Sequence, residues 1–207
     1  MTTSTLLPSY TAFDGHRRLA SGPLATVALA ARQAGDATSG AILIFDDATG
    51  RTIDLDLRGT ADDIRARYAP PPGDASGAAG EPAGAGEQRG RGRPKLGVVS
   101  REVTLLPRHW EWLGAQPGGV SVALRKLVED ARRTHAAADR HRDAQTRAYH
   151  FMSAMAGNLP GFEEAARALY ANDPVRLAEL IAGWSGDVRD HALALARGDL
   201  PPSTEDC

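Results

Sequence analysis

Cysteine is almost missing from this chain: a single one, Cys207, ends a polar tail. That excludes an internal disulfide and a cysteine-built zinc site, and it suits a reducing compartment. Long apolar runs are missing as well, and no stretch approaches the ~20 residues that a helical bilayer span needs. Residues 1–9 place no positive charge ahead of an apolar run, so neither a secretory leader nor a lipidation signal is expected there. The expectation is a soluble, cytoplasmic protein with no membrane partner.

Catalytic signatures are lacking too. There is no serine in a G-x-S-x-G setting, no phosphate loop and no dinucleotide fingerprint. The 6 histidines include no i, i+4 pair with a nearby glutamate, and His135, His141 and His150 on a polar helix read as surface residues. Asp46 and Asp47 fall in a turn, and Asp54 and Asp56 fall on the polar face of an alternating strand, where solvated carboxylates are expected rather than a cation site. No catalytic residue, metal or cofactor is predicted. An enzyme or small-ligand domain on the N-terminal segment stays open only because catalytic groups can converge from distant positions.

What the 207 residues do contain is enough apolar content, 42%, to fill cores, and a strongly uneven charge. Residues 89–147 hold 13 Lys or Arg against 6 Asp or Glu, a balance of +7. Of the 24 basic and 26 acidic residues in the chain, 11 and 20 therefore lie elsewhere, a balance of -9. Separated signs of this kind point to an anionic partner or to docking of the basic stretch on the chain's own acidic part.

The pattern predicts an α+β chain, with an N-terminal ββαββα domain, a disordered linker, then a strand and a mainly helical C-terminal domain. In 1–69, Tyr10 to Phe13 and residues 17–20 flank Asp14-Gly15, a hairpin dipeptide. Ser21 and Pro23 open a helix with Leu24, Val27, Ala28 and Ala31 on one face. Residues 41–45 read as a buried strand, and Ile53, Leu55 and Leu57 alternate with polar residues as a half-buried one. Thr60 and Asp63 have capping-box spacing. The helices are expected on one face of the sheet. Residues 70–92 abandon periodicity for Pro, Gly, Ala and Ser, the composition of a mobile linker. In 93–198, residues 98–106 read as a strand, 107–116 as a short helix, and Ser121 as the hydroxyl cap of a long helix that can run unbroken to Ala156. Leu124, Val128, Ala131, His135, Ala138, Arg142, Gln145, Tyr149 and Met152 mark a heptad-like seam along it. Helices over 162–171, 174–182 (capped by Asp173) and 187–197 follow, and 199–207 is a tail.

Two local motifs bear on function. Arg91-Gly92-Arg93-Pro94, inside a basic run from Arg89 to Lys95, resembles the core of an AT-hook, an extended segment that lies in an A·T-rich minor groove. Glycine clears the groove floor there, Pro94 keeps Arg93 extended, and narrow minor grooves attract guanidinium groups. Residues 98–133 resemble the ribbon-helix-helix family, whose members pair one strand from each of two chains and lay the ribbon in the major groove. The resemblance implies Val99, Val103 and Leu105 facing a core, Ser100, Glu102 and Thr104 facing outward, and the Ser121 region meeting phosphate through helix N-terminal amides.

Over most of its length outside the linker the chain resembles a bacterial family catalogued as a domain of unknown function (DUF2239). The likeness is carried by Tyr10-Thr-Ala-Phe-Asp-Gly-His16, Leu43-Ile-Phe-Asp-Asp47, Gly92-Arg-Pro-Lys-Leu-Gly-Val98, Glu102-Val-Thr-Leu-Leu-Pro-Arg-His-Trp110, Ala123-Leu-Arg-Lys-Leu-Val128 and Phe151-Met-Ser-Ala-Met-Ala-Gly157. It implies a coherent fold and no mechanism.

The functional expectation is a DNA-associated, regulatory homodimer. Arg91, Arg93 and Lys95 would meet the minor groove or phosphates, Arg101 and Arg108 the backbone, and Ser121, Arg125 and Lys126 phosphate, with Arg132 and Arg133 adding to the field. The alternative is a protein-interaction module in which the basic stretch docks on the acidic ββαββα domain or on a protein partner.

Overall fold

The computed structural model describes residues 9–35, 41–69, 99 and 101–197. The arrangement is α+β, as the pattern predicts. Residues 1–70 and 136–207 form one compact unit and residues 71–135 another. The C-terminal helices share a core with the N-terminal sheet. The linker at 70–92 and the tail at 199–207 lie outside the described residues.

The first unit is built on four antiparallel strands, β1 (Tyr10–Asp14), β2 (Arg17–Gly22), β3 (Ile42–Asp46) and β4 (Arg51–Ile53), in the order β2-β1-β3-β4. Gly15 has the positive φ of 56° that the tight β1–β2 hairpin requires. An irregularity between Ala12 and Phe13 shifts the β1–β2 register. Helix α1 (Leu24–Gly35) buries Val27, Ala28 and Ala31, the stripe its spacing predicts. After β4 the ladder ends, yet Ile53, Leu55 and Leu57 stay half-buried between exposed neighbours. Helix α2 (Ala61–Tyr68) starts on the Thr60–Asp63 capping box: Asp63 N–H donates to the Thr60 hydroxyl at 3.2 Å, and Thr60 N–H donates to the Asp63 carboxylate at 2.7 Å.

Helices cover both faces of the sheet, where one covered face was expected. The reason is the period of two along the strands: Phe13 and Phe45 enter one core while Ala12, Ala20 and Ile44 enter another with Val27 and Ala31. Against Phe13 and Phe45 pack Phe151, Met152 and Met155 from the long helix α4 (Val120–Ala156), together with α5 (Phe162–Tyr170), α6 (Pro174–Leu180) and α7 (Gly186–Arg197). The three phenylalanine rings meet edge-on or tilted at centroid distances of 4.9 to 6.0 Å. Burying each contributes roughly 1.5–3 kcal/mol. Asp173 caps α6 by accepting from Arg176 N–H at 2.9 Å, with Pro174 in the first turn.

Helix α4 runs unbroken for 37 residues, with no internal Gly or Pro to interrupt it. Its heptad-like seam is not one continuous buried stripe. Gln145 and Met152 are buried and Leu124 and Tyr149 half-buried, whereas Val128, Ala131, His135, Ala138 and Arg142 face solvent. Among the described residues no helix is long and apolar enough to cross a membrane.

Candidate nucleic-acid interface

The predicted DNA-contacting residues that the structure describes belong to the unit 71–135. Residues 101–106 join no ladder among the described residues, so the strand expected there is not formed. Leu106 holds φ -67° and ψ 149°, the extended geometry that a following proline imposes, and Pro107 opens helix α3 (Pro107–Gly114). Gly118 and Gly119, with φ of 89° and 77°, turn the chain into α4. Ser121 is the second residue of α4 rather than its cap. The Gly119 carbonyl takes the first helical bonds, from Val122 and Ala123 N–H, so the expected hydroxyl cap gives way to a glycine turn.

An open groove of about 760 Å³ lies between the segment that precedes α3 and the start of α4. It is lined by Val99, Arg101, Leu124, Arg125, Lys126, Val128 and Glu129. Three predicted contact residues, Arg101, Arg125 and Lys126, thus meet around one concavity. All three are exposed and form no ion pair with a carboxylate among the described residues; Arg125 Nε donates to the Ser121 carbonyl at 3.0 Å. Arg108 stands exposed on α3, and Ser121 lies exposed in the first turn of α4; neither lines the groove. Arg132 and Arg133 are already paired within their own helix, with Glu129 at 3.2 Å and with Asp130. Glu129 is therefore partly compensated where it lines the groove. Arg91, Arg93 and Lys95, and with them the AT-hook resemblance, lie outside the described residues.

This unit buries little apolar surface for what it carries. Leu113 and Ala123 are buried, whereas Val99, Val103, Leu106, Trp110, Trp112, Leu127 and Val128 are exposed. Val99 and Val103, expected to face a core, are 71% and 55% exposed, and Leu105 is half-buried. The segment has no neighbouring strand to pair with among the described residues.

Sequence reasoning missed a buried polar chain in the other unit. The Ser21 and Thr11 hydroxyls lie 3.0 Å apart, and Thr11 donates to Asp47 Oδ2 at 3.0 Å. His191 Nε2 approaches Asp47 Oδ1 at 3.3 Å without hydrogen-bond alignment, leaving both ring nitrogens without a hydrogen-bond partner. The two side chains are fully buried, and the imidazole sits against the Phe13 and Phe151 rings. This corrects the reading of Asp47 as a solvated turn residue. Asp46 alone plays that role, accepting from Ala48 N–H and the Thr49 hydroxyl. The signal available in sequence was His191 on the apolar face of α7, between Val188 and Leu195. His150 is likewise no free surface residue. Its Nδ1 lies 2.9 Å from the Thr49 carbonyl and its Nε2 3.2 Å from Arg51. The Asp47–His191 approach, closed to solvent, lies where α7 meets the sheet. The described residues contain no group of three or more His, Cys, Asp or Glu that could hold a metal ion.

Among known proteins, residues 9–196 match a family described as an uncharacterized protein conserved in bacteria. No curated protein and no solved structure matches the chain.

Proposed function

The chain belongs to that bacterial family, DUF2239, and from this premise we propose that it is a DNA-associated, non-catalytic protein of the cytoplasm that acts as a homodimer. The observation that carries the reading is the convergence of Arg101, Arg125 and Lys126 on one open groove with no carboxylate pairing them among the described residues. Unpaired cations on a concave surface concentrate a polyanion, and binding then proceeds by release of its counterions. Arg91, Arg93 and Lys95 precede this groove in the chain and extend the basic stretch. Dimerisation is supported by the unladdered segment at 101–106 and by the exposed Val103, Leu106, Trp110 and Trp112. A second copy's segment beside the first would satisfy the backbone groups and cover these side chains.

Fluorescence anisotropy with an A·T-rich duplex at low and moderate salt tests this. Binding should weaken steeply with salt, and replacing Arg101, Arg125 and Lys126 by Gln should reduce the salt slope by about 1 for each phosphate that these cations neutralise. Absence of binding at low salt, or a triple variant that binds like the parent, would end the DNA reading.

The exposed Trp110 and Trp112 favour a second reading, a module that captures an acidic protein segment with apolar anchors. It is distinguished by substituting both tryptophans with Ala: duplex affinity should change little under the first reading, while capture of an acidic peptide should be lost under the second.

A further inference from the structure

Away from the basic groove, the first unit carries an arginine whose surroundings leave it unfinished. Arg32 sits in the last turn of α1, where a cation is favoured by the helix carbonyls. Its Nη1 is nevertheless shut off from solvent with no hydrogen-bond partner, and the side chain forms no ion pair among the described residues. A buried, unsatisfied guanidinium nitrogen is uncommon in a folded protein, and it leaves the Nε and Nη2 side of Arg32 as the part that a ligand can reach. Asp63 is an electrostatic neighbour, but its carboxylate is occupied: Oδ2 accepts from both the Thr60 N–H and the Thr60 hydroxyl at 2.7 Å.

The side chain lines an open cleft of about 580 Å³. Ala31, Ile42 and Leu57 give it an apolar wall, and Arg58 brings a second guanidinium, held by Asp56 at 2.9 Å. In this corner three guanidinium groups, on Arg32, Arg58 and Arg67, interact with two carboxylates, those of Asp56 and Asp63. The formal balance is thus one positive charge in excess. Gly59, at φ 102°, completes the lining, where a Cβ would come within 2.9 Å of the Asp63 carboxylate.

We propose that this cleft binds a small molecule with an oxyanion head on an apolar body, the head taken by the accessible Nε and Nη2 side of Arg32 and the body laid on Ala31, Ile42 and Leu57. A planar guanidinium matches a carboxylate or phosphate through paired donors, and charge-assisted bonds of this kind are the strong ones. Arg58 is the adjustable second cation, since its bond to exposed Asp56 can be exchanged for the ligand. The site is independent of the DNA reading: it lies in the other unit and uses none of the groove residues.

The experiment is amide-shift NMR on the full chain with hexanoate, hexyl phosphate, inorganic phosphate and 1-hexanol as probes. Hexanoate or hexyl phosphate should shift the amides of Arg32, Leu57 and Gly59 and saturate. The neutral alcohol and Arg32→Gln should each weaken binding about tenfold or more. Arg32→Lys, which keeps the charge and loses the fork, should also weaken it, and it serves if the Gln variant does not fold. The stronger of hexanoate and hexyl phosphate identifies the head, and weaker inorganic phosphate confirms the apolar wall. Shifts confined to residues 101–129, equal binding by the Arg32 variants, or no saturable shift with either amphiphile would overturn the proposal.

Discussion

His191 Nε2 stands 3.3 Å from Asp47 Oδ1 in a place where neither side chain touches water. Asp47 also accepts the Thr11 hydroxyl, so its removal takes an acceptor from Thr11 and the one neighbouring carboxylate from the buried imidazole. Asp47→Ala should cost about 2–4 kcal/mol of stability, the range for leaving buried polar groups without partners. His191→Leu removes the imidazole and places an apolar side chain against Phe13 and Phe151, taking from Asp47 Oδ1 its one ionic neighbour. If the two groups hold each other, the double variant is less destabilised than the sum of the singles by about 1 kcal/mol or more in a denaturant-melting cycle. Strict additivity would show that the Asp47–His191 pair contributes nothing to holding α7 on the sheet.

Gly50 provides a second test, because its constraint is steric as well as conformational. Its φ is 68°, and a Cβ built there would fall 1.9 Å from the Arg147 carbonyl oxygen on α4. Gly15 shares the sign of φ, at 56°, but has open space around its Cβ position. Gly15→Ala should therefore cost about 1 kcal/mol, the backbone term alone, whereas Gly50→Ala should cost roughly 3 kcal/mol or more because backbone must move. Equal melting shifts in the two variants would refute the close approach of the β3–β4 turn to α4.

The elements that sequence predicts well are those whose cause is local. Asp14-Gly15, the Thr60–Asp63 box, the Asp173 cap and the Val27, Ala28, Ala31 stripe each depend on residues within a few positions of one another, and each is present. Long-range choices were not legible. Phe13 and Phe45 give no sign in sequence that α4 to α7, more than a hundred residues later, cover their face. Asp47 reads as a turn residue until Thr11 and His191 arrive from other elements. The candidate groove was partly legible: the charge excess singled out Arg101, Arg125 and Lys126, but nothing in the spacing could separate them from Arg132 and Arg133, which their own helix neutralises. Arg32 escaped notice because a lone arginine near a helix end is ordinary until its partner is seen to be missing.

Asp56 sets the acid behaviour of the segment between β4 and α2. The Arg58 side chain donates to its carboxylate at 2.9 Å and the Arg58 N–H at 3.1 Å; with further attraction from the Arg58 and Arg67 charges, these lower its pKa to about 2. Because the folded-state value lies below the ordinary carboxylate value, the stabilisation is complete above about pH 4. It is lost as the pH falls through 4 toward 2, since the unfolded chain then takes up the proton first. Carboxyl-carbon NMR titration should show a midpoint near 2. In Arg58→Gln the midpoint should climb only partway back, since the backbone N–H at position 58 and Arg67 still act on the carboxylate. The group is exposed, so about 1 M salt should weaken the ionic part of the shift and leave the hydrogen-bonded part. A wild-type midpoint at the ordinary value, or one that Arg58→Gln does not move, would show that Arg58 does not hold Asp56 in solution.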